Sequence, residues 1–211
     1  MEFFIAAFVT LFVTVDPIGN VPLFLSITDG ATTAERRTTA IKGIIVAFVM
    51  LVLFIFVGKS ILTSLGISLP AFRIAGGLLL FVIAFEMLFA KRRERRTDQA
   101  EKLTSEAKFE DVSIFPLAFP LLAGPGTIAS VLLLSAQTGG QTSQLMLLVG
   151  VAALVLLIAL AMFMFAAVMI DYIPSTLIDM LTRLLGLLLA ALAVQFVVDG
   201  ITNLVVGSAI L

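Results

Sequence analysis

The chain has 211 residues, of which 61% are hydrophobic and only 13% charged, with a net charge of −1 and a mean hydropathy of +1.19. A soluble fold of this size leaves much of its surface in water and cannot hide that much apolar area, and disorder needs low hydrophobicity with high net charge. Both classes are excluded, and the solvent is a bilayer. There is no cysteine and no histidine, which removes disulfides, imidazole-held metals and every catalytic triad with a histidine base.

A membrane-spanning helix needs about 20 mostly apolar residues, and six stretches qualify. The first, 3–28, is interrupted by Asp16-Pro17-Ile18-Gly19-Asn20-Val21-Pro22. Its start is not read as a signal peptide, because Glu2 is the only preceding charge and no small-residue cleavage site follows. The second is 38–58, followed by Lys59, and the third is 69–90, stopped by Lys91-Arg92-Arg93. The fourth, 113–136, is interrupted by Pro120-Leu121-Leu122-Ala123-Gly124-Pro125-Gly126. The fifth, 145–170, carries no charge, and the sixth runs from 184 to the end with Asp199 in its last third.

Residues 91–111 hold seven basic and six acidic residues and no Gly or Pro. With that loop in the cytoplasm, 11 basic residues lie inside and only Lys59 and Arg73 outside, which satisfies the positive-inside rule. Six spans then place both termini outside, in a prokaryotic cytoplasmic (inner) membrane. The expected fold is an all-α membrane protein of two three-helix repeats, 1–90 and 113–211, joined by a charged cytoplasmic linker at 91–112. An odd number of spans per half gives the halves inverted topology. Arg73-Ile74-Ala75-Gly76 opens the third span and Arg183-Leu184-Leu185-Gly186 the sixth, 110 residues later. Asp16-Pro17 and Gly124-Pro125 stand 108 apart. Two landmarks at nearly one offset point to an internal repeat.

The two interruptions are the informative feature. Proline removes a backbone donor and clashes with the preceding turn, and glycine weakens a helix further. In hydrocarbon, the freed groups need partners inside the protein or in a water-lined cavity. Both breaks fall near the middle of their spans, hence near the bilayer midplane. Paired Gly/Pro breaks in inverted halves point to a transporter's binding site. A half-helix start offers N–H groups to an anion, and a half-helix end offers carbonyls to a cation. An amino-acid zwitterion satisfies both. The residues expected to bind it are Asp16, Pro17, Gly19, Asn20, Gly124, Pro125, Gly126 and Thr127.

Asp16-Pro17-Ile18-Gly19-Asn20-Val21-Pro22-Leu23-Phe24 resembles the D-P-x-G-x-x-P-x-F signature of the MarC family of membrane proteins. Leu121-Leu122-Ala123-Gly124-Pro125-Gly126-Thr127-Ile128 resembles that family's second signature, around G-P-G-T-I. The resemblance extends over the whole chain, and the two motifs are specific as a pair. It implies transport of small neutral amino acids, glycine and alanine, as in the family's SnatA-type members.

Asp16 is the one acid at mid-depth, and an intramembrane carboxylate is a functional residue by default. Its roles are binding the substrate ammonium, carrying a coupling proton or holding sodium. The competing reading is a cap on the half-helix that starts at Pro17. Glu86 is a further coupling candidate, against snorkelling toward the basic cluster. Arg73 and Arg183 are gating candidates, against headgroup anchoring, and Asp199 is placed within reach of Arg73. No cofactor or metal is implied, and nucleic acid is not a partner; the partners are the substrate, a coupling ion and membrane lipid.

The chain lacks a G-x-x-x-x-G-K-[ST] sequence, so it does not hydrolyse nucleotide itself, and energy comes from a proton or sodium gradient, from the substrate gradient or from a partner. The leading reading is a secondary transporter driven by a proton or sodium gradient, not an enzyme. Its alternatives are an uncoupled channel or facilitator, an exporter of another small solute, and a membrane scaffold.

Overall fold

The computed structural model describes residues 1–89, 112–166 and 175–208. All regular structure among them is helical. Five helices are long and apolar enough to cross a membrane, and a sixth crossing is added when one bent pair counts as a single span. The linker assigned to 91–112 lies outside the described residues except for Val112.

Helix α1 (Glu2–Val15) stops at Asp16, and α2 (Pro17–Ile27) starts at the next residue. Pro17 sits at the first helical position, where a missing N–H costs nothing. Helix α3 (Thr33–Ser64) opens with a capping box. The Thr32 hydroxyl accepts from Glu35 N at 3.3 Å, and Glu35 Oε2 accepts from Thr32 N at 2.8 Å. This box starts the helix five residues ahead of the apolar run, and the helix continues past Lys59. Its 32 residues span about 48 Å, more than the ~30 Å of hydrocarbon, so it tilts or projects.

Helix α4 (Leu69–Leu88) is capped by Ser68. Segment α5 (Ser113–Leu122) is irregular, with extended backbone at Phe115 and Phe119. Both residues precede a proline, whose ring pushes its predecessor out of the helical region. The Phe115–Pro116 and Phe119–Pro120 peptides are cis. The irregular stretch is therefore longer than expected, since Pro116 begins it before Pro120 does. Helix α6 (Pro125–Gln137) leaves α5 at 56°. Helix α7 (Thr142–Met164) follows, then α8 (Ser175–Ser208). Helix α8 begins well before residue 184, so Arg183 lies inside it rather than at its start.

The closest pairing is α4 with α8, and glycines make it. A Cβ on Gly77 would lie 2.8 Å from Ala193 O, and one on Gly186 would lie 2.8 Å from Met87 Cβ. One on Gly200 would lie 2.9 Å from Pro70 O. These contacts run in opposite directions along the two helices, so the pair is antiparallel. Without hydrophobic drive between helices in lipid, such close backbone approach is what holds them. Gly186 thereby packs against α4 within the chain.

The remaining helices wrap a common core. Helix α3 packs on α5, α6 and α7, while α1 packs on α6 and α7. Phe24 and Phe163 stack at 4.5 Å and tie α2 to α7. Ser135 Oγ donates to Ile55 O at 2.8 Å, a buried bond from α6 to α3.

Candidate functional site

Asp16 is the one non-glycine residue with positive φ among those described, at φ 55° and ψ 62°. Aspartate tolerates this left-handed conformation better than most residues. Its N–H donates to Phe12 O at 2.9 Å, closing the last turn of α1. Its carbonyl accepts from Asn20 N at 3.0 Å, opening the first turn of α2. Its carboxylate Oδ1 accepts from Gly19 N at 3.1 Å. Asp16 therefore caps the helix that follows it, as the capping reading expected.

Gly19 and Asn20 complete the interruption. A Cβ on Gly19 would lie 2.8 Å from Asp16 Cγ and Oδ1, and nearer still to Oδ2. Only glycine leaves room for the carboxylate. Asn20, fully buried, donates from Nδ2 to Val15 O at 2.7 Å. That bond satisfies an end-of-helix carbonyl which the break had freed, as low-dielectric surroundings demand. Thr14 Oγ1 donates to Thr10 O at 2.8 Å, while the fully buried Thr10 Oγ1 has no hydrogen-bond partner.

The second interruption is built differently. Gly124 is extended, at φ −72° and ψ 173°, and Pro125 takes the first helical position of α6. No side chain caps this start. A Cβ on Gly124 would press on Pro120 O, and one on Gly126 would press on Ile83 Cδ1 of α4. Gly124 thus allows the chain to turn tightly, and Gly126 allows α4 to approach. Thr127 is buried in the first turn, and buried Ser130 donates to Gly126 O at 2.8 Å. Helix α1 packs against α6, so the helix before the first interruption lies on the helix after the second.

The other candidate residues stand away from these interruptions in sequence and differ among themselves. Arg73 is half-buried on α4, and its Nε is buried without a hydrogen-bond partner. It makes no pair with Asp199, whose Oδ1 instead accepts from Gln195 Nε2 at 2.7 Å. The proximity to Arg73 expected from helix length does not produce contact. Arg183 is exposed on α8. Because Gly200 meets Ile74 while Gly186 meets Met87, Arg73 and Arg183 sit toward opposite ends of the α4–α8 pair, about 24 Å apart by helical rise. Glu86 is half-buried next to that contact.

Two features were passed over in the sequence. The threonines at 10 and 14 form a buried polar edge on α1, and their spacing of four before Asp16 was the available signal. Arg36 donates from Nε to Thr28 Oγ1 at 3.2 Å and from Nη2 to Thr28 O at 3.3 Å. It thereby caps the end of α2, where a cation suits the exposed carbonyls. No local pattern announces that contact.

The model of a family described as "MarC family integral membrane protein" matches residues 1–205. UPF0056 membrane protein YvbG of Bacillus subtilis is 36% identical over 203 residues, covering 96% of each chain. UPF0056 membrane protein YhcE of Escherichia coli is 35% identical, covering 95% of this chain and 92% of its own. A UPF0056 membrane protein of Archaeoglobus fulgidus is 34% identical, covering 98% and 96%. No solved structure matches the chain.

Proposed function

Because the chain belongs to the MarC family of integral membrane proteins, we propose that it is a secondary transporter of small neutral amino acids such as glycine and alanine. It works by alternating access around the two interruptions, which lie near the bilayer midplane as breaks in the first and fourth spans. It uses a proton or sodium gradient and sits in a prokaryotic cytoplasmic membrane with both termini outside.

One observation carries this reading. The start of α2 is filled by the protein's own carboxylate, Asp16 on Gly19 N. The start of α6 is a Gly-Pro-Gly-Thr turn with no side-chain cap. A helix start with uncapped N–H groups favours a carboxylate. A substrate carboxylate belongs there, and Asp16 supplies the negative charge that a substrate ammonium needs. The two interruptions thus take opposite ends of a zwitterion.

Inverted repeats are supported by matching landmarks. Helix α2 ends on Thr28 and α6 on Thr138, 110 residues later, each threonine bonding back with its hydroxyl at 2.7 Å. Gly30 and Gly140 then turn the chain with φ of 74° and 87°. The packing is reciprocal as well. The second spans of the two halves pair as α3 with α7, and the third spans as α4 with α8. Helices α3 and α4 touch α6, while α7 and α8 touch α1 and α2.

Counterflow in proteoliposomes tests the assignment. Saturable exchange of labelled glycine and alanine, blocked by small neutral competitors, is expected. No exchange by folded, inserted protein overturns it.

A further inference from the structure

A cleft lies on the outside of the bundle, between the first turns of α1 and the middle of α8. It has a volume of about 530 Å³ and is lined by Glu2, Ile5, Ala6, Leu188, Ala191 and Gln195 among others, a size within the ~300–1,000 Å³ of ligand pockets. Small side chains at 6 and 191 make the hollow, and large apolar ones wall it. Ile5 and Leu188 are 54% and 46% exposed.

We propose that this groove binds one phospholipid with a primary-ammonium headgroup, its acyl chain lying between α1 and α8 and its ammonium on Glu2. The chemistry of the polar rim selects that headgroup. Glu2 is a carboxylate and only accepts hydrogen bonds. Gln195 spends one of its two amide N–H donors on Asp199 Oδ1 at 2.7 Å and keeps its carbonyl oxygen as an acceptor. No basic side chain is found among the described residues that line the groove. An ammonium brings three donors and a positive charge to the Glu2 carboxylate and the Gln195 carbonyl. A phosphoglycerol headgroup brings negative charge without a cation, and a trimethylammonium brings charge without N–H donors.

The depth fits as well. Glu2 is the first residue of α1, so its carboxylate stands at the end of that span and the apolar floor runs inward from it. Lipid tails are as apolar as the walls, so burial gives no preference among lipids. Selectivity comes from the rim, and retention from the shape of the floor.

The test uses full-length protein reconstituted in vesicles of equal phosphatidylethanolamine, phosphatidylcholine and phosphatidylglycerol, with retained lipid counted by native mass spectrometry. At least threefold enrichment of phosphatidylethanolamine over each of the others is expected. Glu2→Gln, an exposed change that spares the fold, is expected to erase the enrichment. Ala191→Phe fills the groove and is expected to remove the retained lipid. Equal retention of the three lipids, or enrichment unchanged in Glu2→Gln, overturns the proposal. So does a disulfide formed between Ile5→Cys on one copy and Leu188→Cys on another, since a second copy then covers the groove.

Discussion

The carboxylate of Asp16 and the backbone N–H of Gly19 meet at 3.1 Å, in a space that only a glycine at 19 leaves open. One residue thereby ends a helix, starts the next and holds a charge inside an apolar bundle. A left-handed non-glycine residue costs about 1–2 kcal/mol. The bonds donated by Asp16 N and Asn20 Nδ2 and the one accepted by Asp16 O offset that cost.

Asparagine caps helices as well as aspartate does and also tolerates the left-handed region. Asp16→Asn is therefore expected to keep the fold, with a melting temperature within a few degrees of wild type. It is expected to abolish gradient-driven uptake. Retained coupling in that variant removes the charge from the mechanism.

Asn20→Leu leaves Val15 O buried without its partner. An unsatisfied buried acceptor costs about 1–3 kcal/mol, so thermal unfolding in detergent is expected at a clearly lower temperature. Gly19→Ala is expected to destabilise as well, because its methyl group displaces the carboxylate that caps α2.

Two glycines outside the interruptions make a matched pair. Gly77→Val drives a side chain into Ala193 O and Val197, and overpacking of this kind costs about 1–3 kcal/mol. Gly150 has open space around its Cβ position. Gly150→Val is expected to leave the melting temperature unchanged, and equal effects of the two changes contradict the α4–α8 packing described above.

The absence of cysteine makes single-cysteine labelling clean. If α5 and α6 form one bent span, Leu65→Cys and Gln141→Cys both react with a membrane-impermeant maleimide on intact cells. Asp29→Cys reacts only after permeabilisation. Labelling of 65 and 141 from opposite sides makes α5–α6 a re-entrant loop and removes the inverted repeat.

Much of this was legible in the sequence because each signal is local. Apolar runs of bilayer length give the spans, and Asp16-Pro17 and Gly124-Pro125 mark both interruptions. What escaped depended on neighbours or on polar caps. The Thr32–Glu35 box begins α3 earlier than hydropathy does, and α8 is described from residue 175, ahead of the longest apolar run. Pro116 extends the irregular stretch that Pro120 alone suggested. The roles of Gly126 and Gly186 were set by Ile83 and Met87, residues far away in the chain. The two interruptions look equivalent in sequence, yet the acid at 16 fills one helix start and the glycine at 124 leaves the other uncapped.

The most direct measurement is accumulation of labelled glycine in proteoliposomes under an imposed pH or sodium gradient. A carrier coupled at Asp16 is expected to raise internal glycine above the external concentration, and to lose that accumulation when the gradient is collapsed. Equilibration without accumulation contradicts coupled transport and makes the protein a facilitator, while an absence of glycine movement contradicts the substrate.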